Sequence, residues 1–538
     1  MKVIIKLLSI VAVTLTLWQC ARVGSPTGGD KDITPPEVLR IVPPSGTTNF
    51  TGNRIRIYFD ELVTLKDVRK QLIISPPLNN FPDISPAGNA ARYLDIKITD
   101  TLKPNTTYTF NFGRSIQDNN EGNPLNFFSY VFSTGNTIDS LSVKGKIKDA
   151  ISSKPDNFVN VMLYEVTEKF TDSIIYKEKP TYIVNTLDSL DTFEIKNVKA
   201  GKYMLIAMKD KASNYLFDQK QDKIGFYPHF IEVPTDTIYE LSLFKEVPNN
   251  NTSRPFQAAE SRISIGYEGE RDSIRLQMLP PLPPDFKYTL TKDRDKDTLN
   301  LWFSPKIEDS LKFIVRNEKT DTVKVNFRKM KPDEWQISSK SNDISPSLQE
   351  IIYTSNIPLD TFNQKMIHIT AKDSSSVHFT SEIDSNKLDV RLKVPTKQGE
   401  KYKVMAYPEA FINFYGQKND TLQTSFSPKP MEEYASLKLK IGEGFQFPIL
   451  IELTNEKGTK VEYAKYLPEK TALYQWEAIK PSTYQIRIIE DKNKNEKWDT
   501  GNYLQKIAPE NVYHFPKPIE LRANWDIEQD IIPKNNDL

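Results

Sequence analysis

The sequence of 538 residues contains one cysteine, four histidines and no excess of charge of either sign. A single cysteine excludes an intrachain disulfide framework and a cysteine-rich metal site. The histidines are scattered without metal-ligand spacing. Because 71 Lys and Arg residues balance 70 Asp and Glu residues, the sequence lacks the basic stripe that binds nucleic acid, and we expect no nucleic-acid partner.

Helical periodicity and catalytic motifs are also missing. No window of a dozen residues places apolar side chains at helical spacing, which excludes a mainly helical fold. The sequence has no G-x-S-x-G elbow, phosphate-cradling loop or dinucleotide fingerprint. We therefore expect a protein that is not an enzyme and assign no catalytic residue. Folding could still pair two of the 70 acidic residues, so a hydrolase with its site in residues 253–340 is one alternative.

The N-terminus has the organisation of a secretory signal. Two lysines precede an apolar run that is too short to span a bilayer, which predicts a signal peptide over residues 1–19. The only cysteine, Cys20, follows Leu-Trp-Gln in an arrangement that resembles the bacterial lipobox. The resemblance implies a lipidated Cys20 that anchors the protein to the membrane. The alternative is a free or buried cysteine in an ordinary signal peptide.

The segments from Cys20 onward are predicted to be a tether and then a β-sandwich. Residues 20–34 are rich in Gly, Pro and small polar residues, which predicts a flexible lipid-anchored tether. Residues 35–135 alternate apolar and polar side chains between turn residues, as in a β-sandwich. The stretches SPTGGDKDITPP, IRIYFDELV, LKPNTTYTFNFG and YVFSTG resemble Bacteroidota envelope lipoproteins that begin with a bacterial Ig-like domain of the S-layer type. The resemblance implies an Ig-like sandwich on the outer membrane.

A second type of module follows at residues 136–247. The stretches LSVKGKIKDA, VNVMLYEV and FEIKNVKAGKYMLIAMKD alternate as strands and resemble the prealbumin-like, carboxypeptidase-regulatory type of β-sandwich. A further strand-rich stretch at 253–340 has no such resemblance and is predicted to be an unassigned β-domain.

Two internal repeats indicate that this pair of modules is used twice. At an offset of 294 residues, Tyr108 lies over Tyr402, and at an offset of 281 residues, Tyr203 lies over Tyr484. The repeats predict a second Ig-like sandwich over 345–429 and a second prealbumin-like sandwich over 432–538. The expected fold class is therefore all-β, a string of Ig-like and prealbumin-like β-sandwich domains in a tandem duplicated arrangement, shaped as a rod or an arc.

The sequence DKNKNEKWDTGN contains a candidate cation site. Asp491, Asn493, Asn495 and Asp499 stand at the spacing at which an oxygen-ligated Ca²⁺ loop places its side chains. Glu496 replaces the glycine that an EF-hand loop needs. The alternative is a polar turn in which Asp and Asn side chains cap their own backbone. Ca²⁺ is the only cofactor that we consider.

Ten Asp residues are followed by Ser or Thr and then by an aliphatic residue. The triplet resembles the O-glycan acceptor sequon of exported Bacteroidota proteins, and it is also typical of a turn that enters a strand. The candidate acceptor hydroxyls are Thr101, Ser140, Ser173, Ser189, Thr237, Ser273, Thr298, Ser310, Thr322 and Thr421.

Taken together, these patterns predict a non-enzymatic outer-membrane lipoprotein that acts as a binding and scaffold subunit of an envelope assembly, such as outer-membrane protein assembly or secretion machinery. Its expected partners are the membrane, through the lipid, and envelope proteins, including outer-membrane barrels and other lipoproteins. We favour the cell-surface face over the periplasmic face. A surface glycan-binding lipoprotein is the other alternative, since Trp335, Trp498 and Trp525 lie in polar contexts where tryptophan forms either an edge lid or an exposed contact.

Overall fold

A computed structural model describes residues 32–187, 191–248, 251–269, 274–317 and 319–533. In these residues strands dominate, and the helices are one short α-helix, α1 (Val68–Gln71), and the 3₁₀ turns Asp172–Tyr176, Gln364–Met366 and Met431–Glu433. The predicted all-β class is confirmed. The strands fall into five groups, which we call modules 1 to 5, and each group forms two main packed sheets around its own apolar core.

Module 1 has two sheets, in the orders β1-β2-β5-β4, with β7 paired to the end of β2, and β3-β6-β8. Its strands are β1 (Val38–Val42), β2 (Arg54–Leu65), β3 (Ile73–Ser75), β4 (Asp83–Ser85), β5 (Ala91–Lys97), β6 (Thr107–Asn111), β7 (Ile116–Asp118) and β8 (Ser129–Ser133). Along β2, Ile55, Ile57 and Phe59 are buried between the sheets. The intervening residues face outward, because successive side chains of a strand point to opposite faces.

Module 2 has sheets β12-β9-β16, in which β16 runs parallel to β9, and β11-β10-β13-β14, with β15 paired to β13. Its strands are β9 (Leu141–Asp149), β10 (Asn160–Glu165), β11 (Tyr182–Asn185), β12 (Thr192–Val198), β13 (Gly201–Lys209), β14 (Lys223–Phe226), β15 (Ile231–Val233) and β16 (Ile238–Leu243).

Module 3 has sheets β17-β19-β22-β21, with β18 also on β19, and β20-β23-β24. Its strands are β17 (Asn251–Thr252), β18 (Phe256–Ala259), β19 (Arg262–Glu268), β20 (Arg275–Leu279), β21 (Lys287–Lys292), β22 (Thr298–Ser304), β23 (Ser310–Arg316) and β24 (Thr320–Asn326).

Module 4 has sheets β25-β26-β30-β29, β28-β31-β33 and the short pair β27-β32. Its strands are β25 (Ile337–Ser345), β26 (Leu348–Ser355), β27 (Leu359–Phe362), β28 (Ile367–Thr370), β29 (Thr380–Ile383), β30 (Asp389–Pro395), β31 (Tyr402–Ala406), β32 (Phe411–Asn413) and β33 (Leu422–Phe426).

Module 5 has sheets β37-β34-β41, in which β41 runs parallel to β34, and β36-β35-β38-β39, with β40 paired to β38. Its strands are β34 (Ala435–Ile441), β35 (Ile449–Asn455), β36 (Val461–Leu467), β37 (Leu473–Ile479), β38 (Ser482–Glu490), β39 (Val512–His514), β40 (Ile519–Leu521) and β41 (Asp526–Ile531).

The tandem duplication is confirmed by strand order and by matching side-chain contacts. Modules 2 and 5 have the same order of eight strands, including the parallel pair, and modules 1 and 4 share the order of their larger sheets. The hydroxyls of Tyr108 and Tyr402 each accept a hydrogen bond from the backbone nitrogen five residues earlier, at 2.9 and 2.8 Å. The hydroxyls of Tyr203 and Tyr484 each donate to the backbone oxygen four residues earlier, at 2.9 and 2.7 Å.

Contacts between non-consecutive modules show that the chain folds back on itself. The backbone nitrogen of Tyr503 in module 5 donates to Glu246, which follows module 2, at 2.6 Å, and Thr500 Oγ1 donates to the backbone oxygen of Lys245 at 2.7 Å. Modules 3 and 4 also pack together, since Trp302, Ile357 and Phe414 form one buried cluster. Of the two expected shapes, a rod or an arc, the rod is therefore wrong, because loops of module 5 have apolar and polar partners on module 2.

Candidate functional site

The junction of modules 2 and 5 is built on a sheet that is buried on both faces. The inward residues of β10 and β13 belong to the core of module 2, and the outward residues include Met162, Tyr164, Met204 and Met208, which are at most 2% exposed. Their outward cluster also contains Ile73 of module 1 and residues of module 5. A strand covered on both faces is continuously apolar, and the runs VMLY and YMLIAM have this character.

Tyr503 is the contribution of module 5 that reaches deepest into this cluster. The side chain is fully buried, and its hydroxyl donates to the backbone oxygen of Asp172 at 3.0 Å. Lys506 forms an ion pair with the Asp172 carboxylate at 2.6 Å. Burial raises the pKa of Tyr503, so the phenol is neutral over the physiological range. Sequence reasoning missed Tyr503 because its partners lie more than 250 residues away.

The predicted Ca²⁺ loop lies beside this junction, and its polar side chains form hydrogen bonds to other groups of the same loop. Asp491 is fully buried, and its two carboxylate oxygens accept the backbone nitrogens of Asn495 and Glu496 at 3.1 and 2.8 Å. The side-chain amides of Asn493 and Asn495 donate to Asp499. The four predicted residues are therefore brought together, and their contacts within the loop are those of the polar turn. No group of three or more His, Cys, Asp or Glu residues with the arrangement of a metal site occurs in the described ranges.

A carboxylate that the sequence analysis did not single out braces the loop. Glu510 accepts the backbone nitrogens of Lys492 and Asp499 at 2.7 and 3.0 Å. Burial raises the pKa of Glu510 above its ordinary value. The bond from the backbone nitrogen of Asp499 to Glu510 thus holds the end of the loop beside the start of β39.

The equivalent loop of module 2 has the same brace. Asp222 accepts the backbone nitrogens of Lys211 and Asp218 at 2.9 and 2.8 Å. Asp210, the equivalent of Asp491, accepts the backbone nitrogen of Tyr215 at 2.7 Å. Because the brace recurs in both copies, we conclude that these carboxylates shape the loops, and in module 5 the loop presents Tyr503 to module 2.

The candidate O-glycan hydroxyls lie mostly where strands begin. Cys20, Ser189 and Ser273 lie outside the described residues. Thr298 and Ser310 are the first residues of β22 and β23. Residues that directly precede a strand are Ser140, Thr237 and Thr421, whereas Thr101 lies in a loop, Ser173 in a 3₁₀ turn and Thr322 within β24. Five of the eight described hydroxyl-bearing residues, Thr101, Ser140, Thr237, Thr322 and Thr421, are exposed.

The three tryptophans in polar contexts have different surroundings. The indole nitrogen of Trp335 donates to Ser355 at 2.9 Å, and that of Trp498 donates to the backbone oxygen of Glu510 at 3.2 Å. Both rings pack against buried clusters as edge lids. Trp525 is 45% exposed, with the Arg522 guanidinium 5.1 Å from its ring centre.

The segment 253–340 contains buried polar groups that bond to one another. Asn300 accepts hydrogen bonds from Ser264 at 2.7 Å and from Arg262 at 3.2 Å. Arg262 is also paired with Asp333 at 2.8 Å. These contacts connect strands of module 3 and hold the following segment against it.

Comparison with known proteins gives one family match. Residues 32–134 match the family described as bacterial Ig-like domain. Module 1 is therefore similar to bacterial Ig-like domains. The larger sheets of modules 3 and 4 have the order β17-β19-β22-β21 and β25-β26-β30-β29. When the four strands of each sheet are numbered in chain order, both follow the order first, second, fourth, third, as β1-β2-β5-β4 does in module 1. No match is found among curated proteins.

Two solved structures similar to this chain are S-layer proteins. A crystal structure of the S-layer protein rSbsC(31-844) is 9% identical, with a TM-score of 0.15, and the match covers 74% of this chain and 67% of that chain. A structure of domains 1–6 of the surface layer protein SbsC is 10% identical, with a TM-score of 0.15, and covers 82% of this chain and 67% of that chain. In the described ranges no helix has the length and apolar character to cross a bilayer.

Proposed function

We propose that the protein is a non-enzymatic envelope lipoprotein that acts as a binding and scaffold subunit of a cell-surface assembly. The observation that carries the proposal is the packing of separate sandwiches into larger bodies, through Tyr503 between modules 5 and 2 and through the Trp302 cluster between modules 3 and 4. A body of this kind presents loops and strand edges at fixed spacing, and several such contacts to one partner strengthen each other.

The lipid at Cys20 is the proposed membrane attachment. Residues 20–34 are the proposed tether, which as a flexible chain of about 15 residues would have a root-mean-square span of about 20 Å. The tether would hold module 1 close to the outer membrane, and we place the modules on the cell-surface face. The proposed partners are outer-membrane barrel proteins and other lipoproteins.

The glycan-binding alternative is less well supported. A glycan platform needs coplanar exposed Trp or Tyr rings beside polar groups. Among the described residues the exposed rings of this kind, Tyr93, Tyr288, Tyr407 and Trp525, lie in four different modules. Arg522 stacks on Trp525 and is paired with Glu520 at 2.9 Å.

The proposal is tested by purifying the tagged lipoprotein from its native envelope in mild detergent and identifying partners by mass spectrometry. We expect a stoichiometric barrel protein together with other lipoproteins. The matched control is Cys20→Ser, which should leave the membrane fraction and lose these partners. Recovery of the wild-type protein alone would contradict the scaffold function, and protease accessibility on intact cells decides between the surface and the periplasmic face.

A further inference from the structure

Modules 2 and 5 differ at one edge of the sandwich, although their strand order is the same. In module 2 this edge is closed by an isolated bridge between Ile224 on β14 and Phe244 just after β16. The two residues exchange backbone hydrogen bonds at 2.9 and 2.8 Å, and Phe244 is only 2% exposed. The two sheets are thereby joined, and the core behind them is sealed.

In module 5 the equivalent edge is open. In the described part of module 5, β39 pairs only with β38, and β41 pairs only with β34. Between these two strand edges and the facing surface of module 2 lies a cavity of about 980 Å³, whose floor includes the core residues Ile486 and Ile488. Ile532, which follows β41 as Phe244 follows β16, is 70% exposed. We call this opening the module 5 cleft.

A single pair of equivalent residues explains the difference. Gly225 pairs with Ala207 on β13, and Tyr513 pairs with Ile488 on β38. Ala207 and Ile488 are equivalent in the repeat at an offset of 281 residues, so Gly225 and Tyr513 occupy the same place in the two modules. A Cβ atom on Gly225 would lie 2.7 Å from the backbone oxygen of Ser242 in β16, so only glycine permits the closed edge. Tyr513 carries a side chain that packs on Phe445 at 5.2 Å between ring centres, and it keeps β39 and β41 apart.

The cleft offers unpaired backbone groups. The backbone oxygen of Asn511 and the backbone nitrogen of Phe515 both bond to β38. Since alternate residues of an antiparallel strand direct their backbone groups to opposite sides, Val512 and His514 direct theirs away from β38 and into the open edge. The side-chain nitrogen Nε2 of His514 is also buried without a hydrogen-bond partner. A strand added from another polypeptide would supply donors and acceptors to these groups.

The charge around the cleft is negative. Five acidic side chains, Asp149, Asp191, Glu240, Glu510 and Asp530, line it. Glu240 is paired with Lys148, the lysine in the lining, and Asp149 is paired with Lys223. A cationic partner is favoured at such a surface. An acyl chain would cover the apolar floor, but it would leave the backbone groups of β39 without partners, at a cost in free energy.

We propose that the module 5 cleft binds an extended, basic polypeptide segment of a partner protein, which adds as a strand to β39 and places alternate apolar side chains over Ile486 and Ile488. Strand addition of this kind takes affinity from main-chain hydrogen bonds and specificity from pockets for alternate side chains. The inference rests on the proposed scaffold function and names the site through which one partner is held.

The test uses the full-length protein in mild detergent and a fluorescein-labelled peptide of nine residues that alternates valine and lysine. We expect an increase in anisotropy, smaller at high salt, and slower hydrogen exchange at the Val512 and His514 amides. The variant Tyr513→Gly, which restores the glycine of module 2, should weaken binding at least tenfold. Ile532→Lys, at a side chain exposed in the free protein, should weaken binding to a similar degree without loss of thermal stability.

The matched control is Val461→Lys on β36, the opposite edge strand of the same sheet, where the side chain is also exposed. This variant should bind the peptide like the wild type. Equal binding by Ile532→Lys and the wild type would overturn the inference, as would equal binding of a valine and glutamate peptide. Displacement of the peptide by a fluorescent fatty acid with higher affinity would instead assign the cleft to an acyl chain.

The envelope purification separates this inference from the proposed function. If Tyr513→Gly and Ile532→Lys retain every partner of the wild type, the scaffold function stands and the cleft inference is wrong. If the wild-type protein has no partners, the scaffold function fails whatever the peptide does. If both variants lose the same single partner and keep the others, the result supports both the scaffold function and the cleft inference.

Discussion

The hydroxyl of Tyr503 in module 5 donates a hydrogen bond of 3.0 Å to the backbone oxygen of Asp172 in module 2, across 331 residues of sequence. Asp172 begins a 3₁₀ turn, Asp172–Tyr176, that covers the outward face of the methionine-rich sheet. The contact therefore joins the fifth sandwich to the packing of the second. Because the ring is fully buried there, the position of module 5 depends on it.

Tyr503→Ala is expected to release module 5 from module 2. Truncation of a buried aromatic ring costs about 3 to 5 kcal/mol, whereas Tyr503→Phe removes only one hydrogen bond and should cost about 1 kcal/mol. We expect a larger radius of gyration by X-ray scattering and faster proteolysis near residue 248 for the alanine variant. Leu504→Ala, at a neighbouring side chain that is 53% exposed, is the control and should match the wild type.

Gly145→Ala is expected to destabilise module 2. A Cβ atom at Gly145 would overlap the backbone oxygen of Tyr239 and lie 2.5 Å from the Phe193 ring, so β9 and β16 could not stay paired as they are. Overpacking of this kind costs about 1 to 3 kcal/mol. Gly52→Ala, where the nearest atom would be 3.5 Å away, is the control. Similar melting temperatures for the two variants would contradict the close approach of these strands.

The stability of module 5 should fall in mild acid because of His514. Burial, and then the nearby Arg487, lowers the pKa of His514 to about 4. In the unfolded chain a histidine has a pKa of about 6.5, so between pH 6.5 and 4 the unfolded state binds the extra proton and is favoured. Stability from this group is full above pH 6.5 and is lost as the pH falls.

The measurement is the melting temperature between pH 7 and 4.5. His514→Gln should show a smaller decrease than the wild type over that interval, whereas His368→Gln, at an exposed side chain, should follow the wild type. An identical acid dependence for the wild type and His514→Gln would show that the ring is not held neutral in the folded protein.

Removal of Ca²⁺ should leave the loop intact. The carboxylate of Asp491 is occupied by two backbone nitrogens and the carboxylate of Glu510 by two more. We therefore expect the same melting temperature with a chelator and with added Ca²⁺. Asp491→Ala should lower the stability of module 5 by about 2 kcal/mol under both conditions, because buried backbone donors lose their acceptors. A decrease with the chelator alone would favour a bound cation.

The sequon resemblance makes a prediction for exposed hydroxyls. Thr101, Thr237 and Thr421 are exposed and follow Asp, so mass spectrometry of the protein from its native envelope should find glycan on their peptides. The triple alanine variant should lose the corresponding mass and keep its melting temperature, since surface substitutions usually change stability by less than about 0.5 kcal/mol. If the peptides are unmodified at all three positions, the O-glycan interpretation is wrong and the triplet is only a turn that enters a strand.

Local patterns were sufficient for much of the fold. Alternation along stretches such as IRIYF indicates strands with one buried face, because the side-chain period of a strand is two. The repeats at offsets of 294 and 281 residues predicted the tandem duplication, since Tyr108, Tyr402, Tyr203 and Tyr484 each make a bond within five residues of themselves. The loop residues Asp491 and Asn495 could also be found from the sequence, because they are close together in it and bond to each other.

The associations between modules could not be predicted in this way. Tyr503, Asp172 and Glu246 are far apart in sequence, and nothing local to them indicates a partner. The same applies to the open edge at Tyr513, which is evident only beside the closed edge at Gly225.

The sequence by itself determined the strands, the turns, the pairing of repeats and the absence of a cysteine framework, because these follow from residue type and short-range spacing. Only the tertiary structure decided that module 5 docks on module 2, that the carboxylates of the Asp491 loop bond to their own backbone, and that one sandwich edge is open. These features depend on the shape and polarity of surfaces that meet only after each module has folded, and such surfaces leave no periodic signal in the sequence.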